Sequence, residues 1–161
     1  MKRLVTIGVY GWDRRSFLAA LDEADVRILL DVRQRRGVRG REYAWANSVR
    51  LQDALAGAGV EYRHHQELAP TTELRHVQYA EDARLGVGKR SRIELAPAYR
   101  ERYSREILDG VDLAPIVRDE LPYDGSAALF CVERDPEACH RSIIATRIAA
   151  EHGAVVHHIV P

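Results

Sequence analysis

Within one short stretch, Cys131-Val132-Glu133-Arg134-Asp135-Pro136-Glu137-Ala138-Cys139-His140-Arg141, the chain gathers both of its cysteines, a carboxylate, an imidazole and a guanidinium. Three chemistries use such a set. Two thiolates and an imidazole are good zinc ligands, with Glu133 or a water completing four positions. A thiol beside a histidine, an arginine and a helix N-terminus is a nucleophile or a redox group. In the third, Glu133 is the acid or base or a ribose-hydroxyl ligand, His140 and Arg141 hold a phosphate, and the cysteines only line the site.

The elements around the stretch decide among these. Ala127 to Glu133 is a short apolar run, and Asp135-Pro136-Glu137 supplies an N-cap with proline at the first helical position. This predicts a strand, then a helix to about His152 with Gly153 as its stop. Ala154 to Val160 reads as another strand, which makes a βαβ unit with a right-handed crossover and parallel strands. On that helix His140 shares the inward face with Ile143, Ile144 and Ile148, while Cys131 and Glu133 share one face of the strand. Neighbours on a helix point about 100° apart, so Cys139 and His140 reach one ion only with difficulty, and paired Cys-x-x-Cys knuckles are absent. No metal ligand is therefore expected. Rhodanese and phosphatase loops need an arginine six residues after the cysteine, where this chain has Glu137. The third chemistry is favoured, with Glu133 and His140 as the reacting pair. The bland alternatives are thiols buried in a core, a core histidine bonded to a carbonyl, a helix-surface arginine and a solvated strand end.

Upstream, Leu4 to Tyr10, Arg27 to Arg33 and Val60 to His64 read as strands, alternating with helices at Ser16 to Ala24 and Ser48 to Ala58. A less regular insert runs from Gln66 to about Pro97, followed by helices at Ala98 to Leu108 and Leu113 to Leu121. Arg33, Arg35, Arg36, Arg39 and Arg41 crowd the turn after the second strand, ahead of Tyr43 and Trp45, and Arg84, Lys89, Arg90 and Arg92 crowd the insert. Two basic clusters with aromatic surface suit phosphates and stacked bases. Asp31 and Arg33 lie on one strand face and orient a ligand or each other; Tyr10 ends the first strand and lines the same crevice. Leu85-Gly86-Val87-Gly88-Lys89-Arg90-Ser91 is not a P-loop, because Ala83 and Arg90 stand where glycine and Ser or Thr are required. In the His64-His65 and His157-His158 doublets, neighbours face opposite sides of a strand. Arg147 falls on an inward face and needs an acid or a rim.

With Thr6-Ile7-Gly8, Phe17-Leu18, Asp31-Val32-Arg33, Ala58-Gly59-Val60-Glu61-Tyr62, Cys131-x-Glu133 and Cys139-His140-Arg141 in hand, the chain resembles the bacterial and archaeal DUF488 proteins over nearly its whole length. The resemblance implies nucleic-acid-related work without an assigned reaction. Leu68-Ala69-Pro70-Thr71 replaces a Leu-Gly-Gly stretch common in relatives, and Gln34-Arg35-Arg36-Gly37 replaces a proline-serine turn. Both loops should line the crevice, so substrate choice is expected to be this chain's own.

The 161 residues, 46% of them hydrophobic, suffice for one core, and 24 basic residues balance 24 acidic ones, so net charge names no partner. No apolar run matches a membrane span or a signal peptide, and two cysteines make no disulfide framework, so the expected location is cytoplasmic. The expected fold is a single three-layer α/β domain with a mainly parallel sheet and a partly helical central insert at about 66–97. The expected partner is a phosphate-bearing small molecule or nucleic acid, acted on hydrolytically. Glu133, His140 and Asp31 are the catalytic set, Tyr10, Arg33, Arg35, Arg36 and Arg141 the ligand contacts, and Cys131 and Cys139 the lining; no cofactor is identified. The competing class is a noncatalytic regulatory module with a redox- or metal-responsive Cys/His site.

Overall fold

The computed structural model describes residues 1–161. Strands β1 (Arg3–Ile7), β2 (Val26–Asp31), β3 (Glu61–His64), β4 (Ser126–Phe130) and β5 (Val155–Ile159) form one sheet in the order β3-β2-β4-β1-β5. Every pair is parallel. β4 is buried along its whole length and β1 along all but its first residue, as strands covered on both faces must be, whereas the edge strands β3 and β5 are half exposed.

The helices are α1 (Arg14–Glu23), α2 (Ser48–Gly57), α3 (Thr72–Leu85), α4 (Pro97–Glu106), α5 (Ala114–Asp119) and α6 (His140–His152). Connections from β1 and β2 travel toward the β3 edge, and those from β3 and β4 travel back toward β5. Right-handed crossovers therefore put α1 and α2 on one face and α3 to α6 on the other. α4 packs on α3 and α6, and α5 on α6, while Phe17 of α1 meets Trp45 in the 3-10 turn that leads into α2. One connected hydrophobic core joins the three layers. The direction of travel reverses between the adjacent strands β1 and β4, so a crevice opens at their carboxyl ends.

Local signals set the elements. Asp13 caps α1 by accepting from the Ser16 amide, and the Ser16 hydroxyl accepts from the Asp13 amide in return. Thr71 caps α3, and Gly86, at φ 70°, ends it in the left-handed conformation that glycine adopts without strain. The expected strands and helices are present with ends shifted by a few residues. The insert is partly helical as expected, and its helix is the 14-residue α3, whose polar face pattern hides its bounds but whose caps are good.

His65, just past β3, bridges Glu67 at 2.5 Å and Glu120, at the end of α5, at 2.6 Å. Burial opposes its charge, but the two carboxylates outweigh burial and raise its pKa above 6.5. A raised folded-state pKa gives stability that is complete below the unfolded value and fades as pH climbs through the folded value. Urea unfolding should therefore show a larger loss for His65→Gln at about pH 6 than at about pH 8.5. Equal losses at both would contradict the bridge.

Candidate functional site

β4 stops at Phe130, so Cys131, Val132 and Glu133 belong to the loop past the strand rather than to it. The Val132 carbonyl accepts from the amides of Val9 and Tyr10 at 2.9 and 3.1 Å. The loops after β1 and β4 thus lie against each other, so closely that a Cβ on Gly8 would overlap the Glu133 carbonyl oxygen. The Asp135-Pro136 signal is spent on a 3-10 turn, Pro136–Ala138, and the residue that caps α6 is Cys139, extended at φ −139° and ψ 145°. This corrects the expected helix start and with it the argument that Cys139 and His140 diverge. His140 Nδ1 lies 3.9 Å from Cys131 Sγ and 3.8 Å from Cys139 Sγ, and all three atoms fall within 4.8 Å of one another.

These residues lie in the wall of a cavity of about 800 Å³, bounded by the loops after β1, β2 and β4, by α3 and by the loop after it. Gln34, Arg35 and Pro70 bring the loops after β2 and before α3 into its wall, as expected. The cavity is closed from the insert side by Arg92, whose Nη1 donates to Asp82 at 2.7 Å, Nη2 to Glu133 Oε1 at 2.8 Å and Nε to the Ala138 carbonyl at 3.3 Å. Gln78 donates to Asp82 and accepts from the Ala96 amide, both at 2.8 Å, extending the network. Lys89 stands 3.9 Å from the same Glu133 oxygen. Glu133 Oε2 is buried without a partner.

Of the residues singled out from sequence, Glu133, His140, Tyr10, Arg33, Arg35, Cys131 and Cys139 line the cavity. Asp31, Arg36 and Arg141 do not. Asp31 is fully buried and its oxygens take Arg33 Nε at 2.9 Å, Arg33 Nη2 at 2.8 Å and the Tyr62 hydroxyl at 2.6 Å, so it is a support and not a catalyst. Arg33 reaches the wall but is occupied: its third nitrogen donates to the Ala46 carbonyl at 2.9 Å, and its guanidinium covers the Phe130 ring. Arg36 turns to the Tyr62 hydroxyl instead. Arg141 is fully buried and donates to the carbonyls of Glu133 at 2.7 Å and Arg134 at 3.2 Å, fixing the loop rather than binding an anion. The expected Glu133–His140 hydrogen bond is absent, because Arg92 holds Glu133 and His140 Nε2 donates to the Val32 carbonyl at 2.8 Å. Trp45 packs on Phe17 away from the cavity. Arg147 finds its acid in Asp109 at 2.7 Å.

Arg39, Arg75, Lys89, Arg90 and Tyr79 complete the cationic and aromatic wall. The insert cluster pointed to Lys89, Arg90 and Arg92, whereas Arg75 and Tyr79 sit in a helix that the apolar pattern did not disclose. Burial raises the Glu133 pKa, as does the Cys139 thiolate, against the pull of Lys89 and Arg92. Burial also pushes the Cys131 thiol well up. At Cys139 the hydrogen bond from Cys131 and the charges of His140 and Arg141 overcome burial and hold the thiol well below its ordinary range. His140 is raised, since the Cys139 thiolate outweighs burial.

Residues 13–148 match the family described as domain of unknown function DUF488. No curated protein and no solved structure matches the chain.

A support and a site residue differ in what their loss does. Asp31→Asn leaves Arg33 buried beside a neutral partner and should cost about 3 kcal/mol or more in urea unfolding, whereas the exposed Arg35→Ala should stay within about 0.5 kcal/mol. Similar small effects for both would contradict the supporting role of Asp31.

Proposed function

The chain belongs to the DUF488 family, and from that premise we propose that it binds a phosphate-bearing ligand, a nucleotide or one nucleotide unit of a strand, and hydrolyses it. One observation carries this reading: among the side chains in the cavity wall, seven are Lys or Arg and one, Glu133, is acidic. Arg33 and Arg92 are neutralised by Asp31 and Asp82, and Arg90 by Glu42, but Arg35, Arg39 and Arg75 have no acidic partner. Bringing unpaired guanidinium groups together around a concave surface costs repulsion that an anion relieves. A volume of about 800 Å³ is in the range of small-molecule sites and admits a nucleotide but not a duplex.

Orientation follows from where the groups stand. Arg75 is braced by Gln34 and Tyr79, each at 2.8 Å, and presents its remaining donors to a phosphate. Arg90, itself in the wall, lies over the rings of Tyr10 and Tyr43 at 5.3 and 5.2 Å, so its braced guanidinium plane, beside the Tyr10 and Tyr79 side chains of the wall, offers a surface for a base. Glu133, with Oε2 free, takes the proton of the attacking water and returns it to the leaving group. No helix is long and apolar enough to cross a membrane. We place the protein in the cytoplasm, where both buried thiols stay reduced.

Calorimetry with inorganic phosphate, nucleoside mono- and triphosphates and a short single strand tests the reading. Binding should weaken as salt rises and fall about tenfold in Arg75→Ala, while Arg36→Ala leaves it unchanged. Glu133→Gln should keep binding and lower turnover about a hundredfold. Failure of every anion to bind would overturn the reading.

A further inference from the structure

We propose that Cys131, Cys139 and His140 are three ligands of one zinc ion whose fourth position opens into the cavity. This goes beyond the anion-binding reading and stands without it. Usual zinc–sulfur and zinc–nitrogen lengths in a tetrahedron put S and N ligand atoms about 3.6 Å apart. Here the two S···N separations are 3.9 and 3.8 Å and the two sulfurs lie within 4.8 Å of each other, so shifts of tenths of an ångström at the histidine and of at most about 1 Å between the sulfurs close the triad on an ion.

The histidine is oriented for the task. A carbonyl oxygen only accepts, so His140 Nε2 carries the proton that it donates to Val32 at 2.8 Å, and Nδ1 is left facing both sulfurs. Ligating histidines are held in this way, with the far ring nitrogen fixed by a carbonyl or carboxylate. The rest of the triad is held as firmly: the Ser142 hydroxyl donates to the Cys139 carbonyl at 2.9 Å, and Arg92 Nε to the Ala138 carbonyl. Both cysteines are buried free thiols. A set with two sulfurs selects zinc over magnesium or calcium, which take oxygen ligands.

No fourth protein ligand joins the triad. Glu133 Oε1 is committed to Arg92, while Oε2 remains without a partner in the same wall. Three protein ligands and an open place are the arrangement of zinc sites that accept water or substrate. Two thiolates cancel the charge of the ion, and Lys89 and Arg92 are balanced by Glu133 and Asp82, so the fourth place is left for a water or a substrate oxygen.

Full-length protein purified without chelator should hold about one zinc per chain, and Cys139→Ser and His140→Ala should hold less than about a tenth of that. Because substituting a buried residue also destabilises the fold, cobalt exchange into the unaltered protein supplies a second readout. Its spectrum should show thiolate charge transfer and the intense visible bands of tetrahedral ligation. A folded protein that takes up neither metal, or one isolated with a Cys131–Cys139 disulfide, would overturn the proposal. Metal uptake without phosphate binding would sink the anion reading alone, and phosphate binding without metal would sink this one alone.

Discussion

The buried guanidinium of Arg92 is the interaction on which the cavity depends. It ties Asp82 of the insert helix to Glu133 beyond β4, and a third bond reaches the turn before Cys139. Two carboxylates around one cation would leave a net negative charge in a nearly dry place, which Lys89 near Glu133 balances. Such a network adds little net stability over apolar packing, yet it is costly to break, because removing one member strands the others. Its position has a consequence for function. The insert is held over the strand ends at a fixed height, and a space is kept open beneath it.

The same economy of partners sorts the arginines. Those that are buried, Arg33, Arg92 and Arg141, have found carboxylates or carbonyls and act as struts. Those on the rim, Arg35 and Arg39, are exposed and without acids. In the proposed reading ligand binding falls to the second group, since a strut cannot leave its partner without the desolvation cost that made the partnership necessary. Glu133 combines both conditions, one oxygen tied and one free, and this makes it the carboxylate able to exchange a proton with something in the cavity.

The alternation of strands and helices, the parallel sheet and the crevice at the strand ends were legible in the sequence, because apolar runs, caps and glycine stops are local signals. The location of the site was legible for a similar reason: Cys131, Glu133, Cys139 and His140 are close in sequence and converge in space. Two things were not. Asp135-Pro136 is a good helix start by its residue types, but a short 3-10 turn consumes it, and the real cap, Cys139, makes no side-chain capping bond that its type would foretell. The division of the arginines into struts and contacts depends on acids far along the chain, such as Asp82 for Arg92, and on carbonyls that any residue could supply. The misplacement of α6 by a few residues carried the geometric argument against a shared ion, since it set Cys139 and His140 on diverging helical positions when the extended backbone of Cys139 brings them together.

The central claim is that the cationic space under the insert is where a phosphate-bearing ligand meets Glu133. A crystal structure of the protein with a nucleoside monophosphate tests it most directly. The account predicts the phosphate among Arg35, Arg75 and Lys89, with the base against the tyrosines of the wall and Glu133 still joined to Arg92. A nucleotide bound on another face, or a cavity closed by inward collapse of the loop after α3, would contradict it.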